Sequence, residues 1–375
     1  LCNLWTRSMS TKKDKFTSED HYYMNHAINL AAERNGFTGL NPSVGCVVVK
    51  NNKILSIGQT GFNGRPHAET VAIKGCKKED LKGSTIYVTM EPCTHYGKTP
   101  PCTNLIVKSK IKRVIYSIND VDIRTKNKAH SFLKSKKIVT SSGLLKNKTK
   151  KIYKNYFEHK YKEKPYIISK LACSKDYFTS SKKKFITNEY SRKVSHLFRY
   201  YCDAILVSSK TANADNSVLS CRLEGLEEYS PRRLIIDRDL KIKKTSPIIN
   251  DNRRINTIIF HNSKVKKKIN YIKSKGVKLS YVDLDASGRI NLRKVFSKVY
   301  NLGISTIIVE GGKSLTRTLL KNKLINEFYL FKSNKNLKKL GKNNIFNFKK
   351  EINHFFKKKE NIETFLNGEE LIRYF

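Results

Sequence analysis

The chain has 375 residues and a formal charge of +44, enough for about two to three domains that each bury an ordinary core. The charge points at first to a nucleic-acid partner. However, the lysines are spread through stretches such as "KVKKKINYIKSKGVK" and "FKKEINHFFKKKEN", so they read as solvated faces and no specific nucleic-acid binding is expected. The eight cysteines, Cys2, Cys46, Cys76, Cys93, Cys102, Cys173, Cys202 and Cys221, are irregularly spaced, which argues against a disulfide scaffold and for a reducing, cytoplasmic compartment. No run reaches the roughly 18 apolar residues of a membrane span.

Residues 1–8 belong to no recognisable element, and residues 1–17 are taken as an N-terminal extension. From residue 20, "DHYYMNHAINLAAERN" repeats apolar residues at helical spacing, and "VGCVVVKNNKILSIGQTG" reads as two strands joined by a polar turn. "HAETVAIKGC" has helical spacing, "STIYVTMEP" is a β-rich run, "TNLIVKSKI" is helical and "RVIYSI" is a strand, an alternation expected of an α/β layer. The charged stretch "KNKTKKIYKNYFEHKYKEK" precedes a fresh strand, "PYIISKLACS", which places a boundary near residue 161 and gives domains over 18–160 and 161–375. The second of these continues with a helix at "SRKVSHLFRYY" and strands at "DAILVSS", "RRLIID", "INTIIFHN" and "GVKLSYVD". A helix near 291–301 and "STIIVEGGKSLTRTLL" follow, again an α/β pattern.

The chemistry concentrates in "RPHAETVA" and "MEPCTHYGKTPPC". A catalytic zinc takes three protein ligands and keeps a fourth position open; His67, Cys93 and Cys102 supply one imidazole and two thiolates. Glu69, two residues beyond the imidazole, suits a carboxylate that moves protons without binding the metal. Gly97, Pro100 and Pro101 let the chain turn back between the two sulfurs. Any one of these residues alone would be an ordinary core or loop residue, and a structural zinc knot would show four ligands. H-x-E followed by P-C is the pattern of zinc-dependent deaminases, but here eight residues separate the cysteines where that pattern has two.

"NPSVGCVVV", "PHAE" and "EPCTHYGKTPPC", followed by "DAILVSSKT", "CRLEGL", "SPRRLIID" and "IIVEGG", resemble the bifunctional riboflavin biosynthesis deaminase-reductase family from about residue 20 onward. The resemblance implies a cytidine-deaminase-like three-layer domain followed by a dihydrofolate-reductase-like domain. It implies one Zn2+ per chain on His67, Cys93 and Cys102, proton transfer by Glu69, and a small-molecule pyrimidine ribosylamine phosphate substrate whose 2-amino group is hydrolysed. Asn41, His95 and Lys98 would hold the base and phosphate.

The second domain would use NADPH to convert the ribosyl group to ribityl. Ala172, Phe185, Thr211, Asp215, Gly312, Lys313, Ser314, Leu315, Thr316, Arg317 and Thr318 would line the cofactor; Lys183, Arg199, Leu219, Arg222 and Glu310 would face the substrate. "VEGGKSL" fits that task physically, since a strand running through two glycines into a helix presents N–H groups to a phosphate. The chain departs from the family at "SKDYF", where Tyr177 stands for a glycine, at Phe185 and Lys183, and at Asp215-Asn216-Ser217. The competing expectations are a nucleic-acid base deaminase, a structural-zinc nucleic-acid-binding protein, and a deaminase carrying a non-catalytic reductase-like domain. Self-association is left open.

Overall fold

The computed structural model describes residues 15–181 and 185–375; the first fourteen residues and the Lys183 position lie outside the described residues. Two compact units are formed, one from the residues up to Asn35 with Pro42–Tyr153, the other from Gly36–Asn41 with Lys154–Phe375.

The first unit is built on a five-stranded sheet of β1 (Gly45–Lys50), β2 (Lys53–Gln59), β3 (Thr85–Met90), β4 (Arg113–Ile118) and β5 (Val139–Ser142). The order is β2-β1-β3-β4-β5, antiparallel over the first three strands and parallel over the last three. Strand side chains alternate between faces. Val47 and Val49 therefore pack with Met24, Ala27 and Ile28 of the Ser18–Glu33 helix, and Cys46 and Val48 point to the other face. That helix begins in a capping box, with the Thr17 hydroxyl accepting from the Asp20 N–H and the Asp20 carboxylate from the Thr17 N–H. Asp20 is buried and also accepts the Tyr87 hydroxyl and a bidentate pair from Arg113, tying the helix to β3 and β4. At Gly45, an added Cβ would stand 1.9 Å from the Ala27 carbonyl oxygen, so only glycine allows this close helix–strand approach.

The second unit holds a nine-stranded sheet. In chain order its regular elements are β6 (Tyr166–Cys173), β7 (Phe178–Ser181), β8 (Ala204–Ser208), β9 (Arg232–Ile236), β10 (Thr257–His261), β11 (Lys278–Tyr281), β12 (Thr306–Val309), β13 (Glu327–Lys332), β14 (Gly341–Asn344), β15 (Lys359–Asn361) and β16 (Glu370–Tyr374). The order is β11-β10-β9-β8-β12-β6-β13-β16-β15, parallel through β13, with β16 and β15 antiparallel at the edge; β7 and β14 form a separate pair. Alternation again divides the core. Leu206, Leu234, Phe260, Ile307 and Val309 pack against Leu292, Val295, Phe296 and Val299 of the Leu292–Asn301 helix. Ile205, Val207, Ile235, Ile259 and Ile308 pack on the other face with Ala212, Ile248 and Ile272. These near-continuous apolar strands are what a parallel sheet covered on both faces requires. The charged run near the unit boundary folds as helices Lys146–Ile152 and Lys154–Lys162. Among the described residues no helix is long and apolar enough to cross a membrane.

Candidate active sites

In the first unit, two strand-to-helix junctions bring three metal-ligand side chains together. His67 is the N-cap of the Ala68–Lys74 helix, which lies close over β2 because Gly58 has no Cβ; one added there would meet the Ala68 carbonyl oxygen at 2.2 Å. Cys93 follows the end of β3, and Cys102 opens the Cys102–Lys108 helix. His67 Nδ1 lies 3.3 Å from Cys102 Sγ and 3.6 Å from Cys93 Sγ, and the three donor atoms all lie within 4.8 Å of one another. A tetrahedral zinc with bonds of about 2.0–2.3 Å needs donor separations of roughly 3.5–4 Å, so this donor set fits a zinc ion with three protein ligands.

The Cys102 N–H donates to Cys93 Sγ at 3.2 Å. The side-chain hydrogen bond between the two sulfurs, with the Cys102 thiol donating, is the main reason the Cys93 thiol is pulled down to about 4, with His67 and the Cys102 N–H adding to it; the same sulfur–sulfur bond, with burial, pushes Cys102 well above the usual thiol range. Without metal the pair thus holds one thiolate and one thiol. The hydrogen bond to Cys93 raises His67. Glu69 is 4 % exposed. Burial pushes its carboxyl up to about 7, with the His67 charge opposing, so the group exchanges a proton near neutral pH.

Two further residues shape this site, and sequence reasoning assigned neither a role. Arg65 Nη1 sits 3.4 Å from His67 Nε2 and donates to Thr99 Oγ1 at 2.7 Å, linking the His67 junction to the loop between the cysteines. Glu91 is buried and accepts the backbone N–H groups of Asp120, Asn127 and Ala129 at 3.0–3.2 Å, which pins the segment carrying Thr125 beside the same loop. Of the expected substrate residues, His95 is half-buried with Nδ1 3.0 Å from Thr125 Oγ1, and Lys98 is exposed. Asn41 closes a turn with Thr38, whose hydroxyl donates to the Asn41 carbonyl at 2.7 Å, and it belongs to the segment grouped with the second unit.

In the second unit, a cleft of about 930 Å³ opens at the C-terminal ends of β6, β8 and β12, where open parallel sheets bind ligands. Its walls include Ala172, Thr211, Asp215, Glu310 and Gly311, followed by Gly312, Lys313, Ser314, Leu315, Arg317 and Thr318. Gly312 is the N-cap of the nine-residue Lys313–Lys321 helix, whose first N–H groups lack helical partners. A Cβ on Gly312 would make only ordinary contact, 3.9 Å from Thr211 Oγ1, so the backbone at this anion-binding end is not crowded. The volume and the helix end fit a dinucleotide with its diphosphate there.

Glu310 is largely buried at the cleft wall. Burial alone would raise it, but Lys170 at 3.3 Å and the Arg199 guanidinium outweigh that and hold it well below the usual carboxylate range. Burial and the Glu310 charge push Asp215 up. Lys170 was not anticipated; its only sequence signal was a lysine inside an apolar strand.

Other expected residues stand apart from these walls. Arg199 reaches the cleft through Glu310, and its Nη1 donates to the Ser220 carbonyl. Arg222 donates its backbone N–H to His196 Nδ1 at 3.2 Å, and burial followed by Arg199 repulsion lowers its guanidinium. Leu219 is buried in the core with φ +56, Thr316 is fully buried, and Phe185 is 53 % exposed beneath the Arg192 guanidinium. Tyr177, where the resemblance leads to the expectation of a glycine, has φ +65. Its hydroxyl accepts from Lys349 Nζ at 2.7 Å and its ring meets Phe346 edge-on.

Residues 17–118 match the cytidine and deoxycytidylate deaminase zinc-binding region, and residues 165–337 match the RibD C-terminal domain. The riboflavin biosynthesis protein RibD of Aquifex aeolicus is 34 % identical over 315 residues, covering 83 % of this chain and 86 % of that protein; its Bacillus amyloliquefaciens counterpart is also 34 % identical, covering 83 % and 84 %. Among solved structures, a Thermotoga maritima diaminohydroxyphosphoribosylaminopyrimidine deaminase/5-amino-6-(5-phosphoribosylamino)uracil reductase matches with TM-score 0.78 at 29 % identity, over 95 % of this chain and 98 % of that one. Acinetobacter baumannii RibD matches with TM-score 0.81 at 25 % identity, over the same shares. The chain belongs to the RibD family of riboflavin biosynthesis, bifunctional enzymes that join a zinc-dependent, cytidine-deaminase-like deaminase to a reductase.

Proposed function

We propose that the first site hydrolyses the 2-amino group of 2,5-diamino-6-ribosylamino-4(3H)-pyrimidinone 5′-phosphate, and that the second uses NADPH to reduce the ribosyl group of the product to ribityl. The observation that carries this is the convergence of His67, Cys93 and Cys102 beside a buried Glu69 whose carboxyl titrates near 7. Zinc, when bound by the imidazole and the two sulfurs, supplies the Lewis acidity that makes water a nucleophile at neutral pH. Glu69 takes the proton from that water and delivers it to the departing amine, so that water and the amino group are exchanged for a ring carbonyl and ammonia; such transfer contributes about 10²- to 10⁴-fold in rate. His95 and Lys98, on the loop between the cysteines, hold the base and phosphate.

NADPH, when bound, supplies the hydride. The Lys313–Lys321 helix end with Gly312 holds its diphosphate, while Ala172, Thr211 and Asp215 line the opposite wall. Glu310, kept ionised between Lys170 and Arg199, orients the ribose hydroxyls, and Arg222 with Arg199 attracts the 5′-phosphate. The domain assignment follows: deamination by residues 18–160 and reduction by residues 161–375.

The test is ammonia release and NADPH oxidation followed together in zinc-loaded protein given the pyrimidinone ribosylamine phosphate. Both signals, with one NADPH consumed per ammonia released, are expected. Ammonia without oxidation would contradict the reductase assignment, and neither signal would contradict both.

A further inference from the structure

We propose that Arg289, together with Thr318 and Lys321, is a phosphomonoester site at the far end of the reductase cleft, and that it selects a dinucleotide bearing a 2′-phosphate on its adenosine ribose. This rests on the reading of the cleft as a nicotinamide dinucleotide site and goes beyond it by assigning the group that discriminates NADPH from NADH.

Arg289 and Lys321 both stand on the cleft wall. Arg289 is carried by a stiff hairpin. Leu284 and Ile290 form an antiparallel bridge, the Asp285 N–H donates to the Arg289 carbonyl at 2.7 Å, and the Asp285 carboxylate accepts the N–H groups of Ser287 and Arg289. The Arg238 guanidinium donates to the Gly288 carbonyl at 3.0 Å, and Ile290 is buried in the core beneath. The backbone of Arg289 is therefore fixed although its side chain is exposed.

The charges around the cleft are not equivalent. Arg317 is paired with Glu351, and Lys313 Nζ donates to the Asn344 carbonyl at 3.2 Å. Arg289 reaches Thr318 Oγ1 with one Nη at 3.4 Å, and among the described residues neither it nor Lys321 has a carboxylate within ion-pair distance. A guanidinium carries five N–H donors in a fork that matches phosphate, so most of this donor set is open to a ligand. Lys321 lies three residues beyond Thr318 on the same helix face.

The spacing also agrees. Thr318 is six residues beyond the N-cap Gly312, about 9 Å along the axis at 1.5 Å per residue. A dinucleotide with its diphosphate on the helix end would thus carry its adenosine ribose along the helix towards Thr318. In a chain of charge +44 an exposed arginine is by itself unremarkable. What separates Arg289 is its fixed hairpin, its place on the cleft wall and a guanidinium that makes no direct ion pair among the described residues, although the Asp285 carboxylate of its own hairpin feels its charge.

The test is calorimetric titration of the full-length, zinc-loaded protein with NADP+, NAD+, 2′,5′-ADP and ADP at one salt concentration. Wild type is expected to bind NADP+ over NAD+ and 2′,5′-ADP over ADP. Arg289→Gln should weaken NADP+ and 2′,5′-ADP by roughly 10- to 100-fold, the worth of a charge-assisted phosphate contact, and leave NAD+ and ADP unchanged. Lys266→Gln, an exposed charge on another helix, should change none of them. Equal losses for NADP+ and NAD+, or none, would overturn the Arg289 assignment while leaving the cleft reading intact. A wild-type protein that binds no dinucleotide would overturn the cleft reading and the assignment with it.

Discussion

The metal-ligand cluster and the reductase cleft solve opposite problems. The first needs a few atoms at fixed distances, and two strand-to-helix junctions supply them from His67 to Cys102. The second needs a long surface, and its walls run from Lys170 to Asn343 over three parallel strand ends, a hairpin and a helix. A donor-atom site can therefore be packed into one short segment, whereas a dinucleotide site exists only once the sheet has formed.

The largest effect should come from removing a ligand. Cys93→Ala leaves two donors where zinc needs three, so bound zinc should fall from one per chain to near none by atomic absorption, and ammonia release with it. NADP+ affinity should be unchanged; a parallel loss would show that the two sites are not chemically separate.

Glu310→Gln reverses the comparison. It leaves Lys170 and Arg199 buried without their counter-charge, at a cost of about 3–5 kcal/mol. Urea unfolding should show a loss of this order in the second unit, with NADPH oxidation reduced and ammonia release retained. An unchanged midpoint would mean that the ion cluster is solvated.

A smaller effect concerns acid. Burial holds His159 and His196 down to about 4. Their folded pKa values lie below the unfolded value near 6.5, so the stability they contribute is present above pH 6.5 and is lost as pH falls towards 4. The His159 ring packs against Tyr300 in a tilted arrangement, centroids 4.5 Å apart, with a buried Nδ1 that has no partner among the described residues. His159→Phe should thus flatten the fall in stability between pH 6.5 and 4, and an unaltered slope would remove His159 from the account.

The smallest effect is expected at Tyr177. Glycine there would relieve a left-handed backbone worth about 1–2 kcal/mol but lose the Lys349 hydrogen bond and the Phe346 contact, each about 1 kcal/mol. Tyr177→Gly should shift the calorimetric midpoint by only a few degrees. A large loss would mean that the aromatic ring anchors the hairpin between β6 and β7.

What the sequence made legible follows the same division. His67, Glu69, Cys93 and Cys102 could be read because their chemistry is tied to short spacings, and the buried strands because Val and Ile runs are unambiguous in a covered parallel sheet. Arg65 and Glu91 stood within the quoted stretches, but their roles lie in contacts with Thr99 and with residues 120–129, which no local pattern encodes. Lys170 and Arg289 are 119 residues apart in sequence, and only folding brings both to one cleft. The strands β13 to β16 also escaped the reading: β14 and β15 are polar, while β13 is a short apolar run, Phe328 to Phe331, that stood outside the quoted stretches. The Gly312–Thr318 run was expected to line the cofactor by resemblance alone, and the helix periodicity explains why Thr316 turns into the core while Thr318 faces the cleft.

The central claim is that Glu69 moves protons beside a metal it does not bind. Glu69→Gln keeps the shape of the side chain and mimics its neutral form, which burial already makes accessible. Zinc content and ammonia release should be measured on the same purified sample. The account predicts one zinc per chain with ammonia release lowered about 10²- to 10⁴-fold; loss of the zinc, or undiminished ammonia release with the zinc in place, would contradict it.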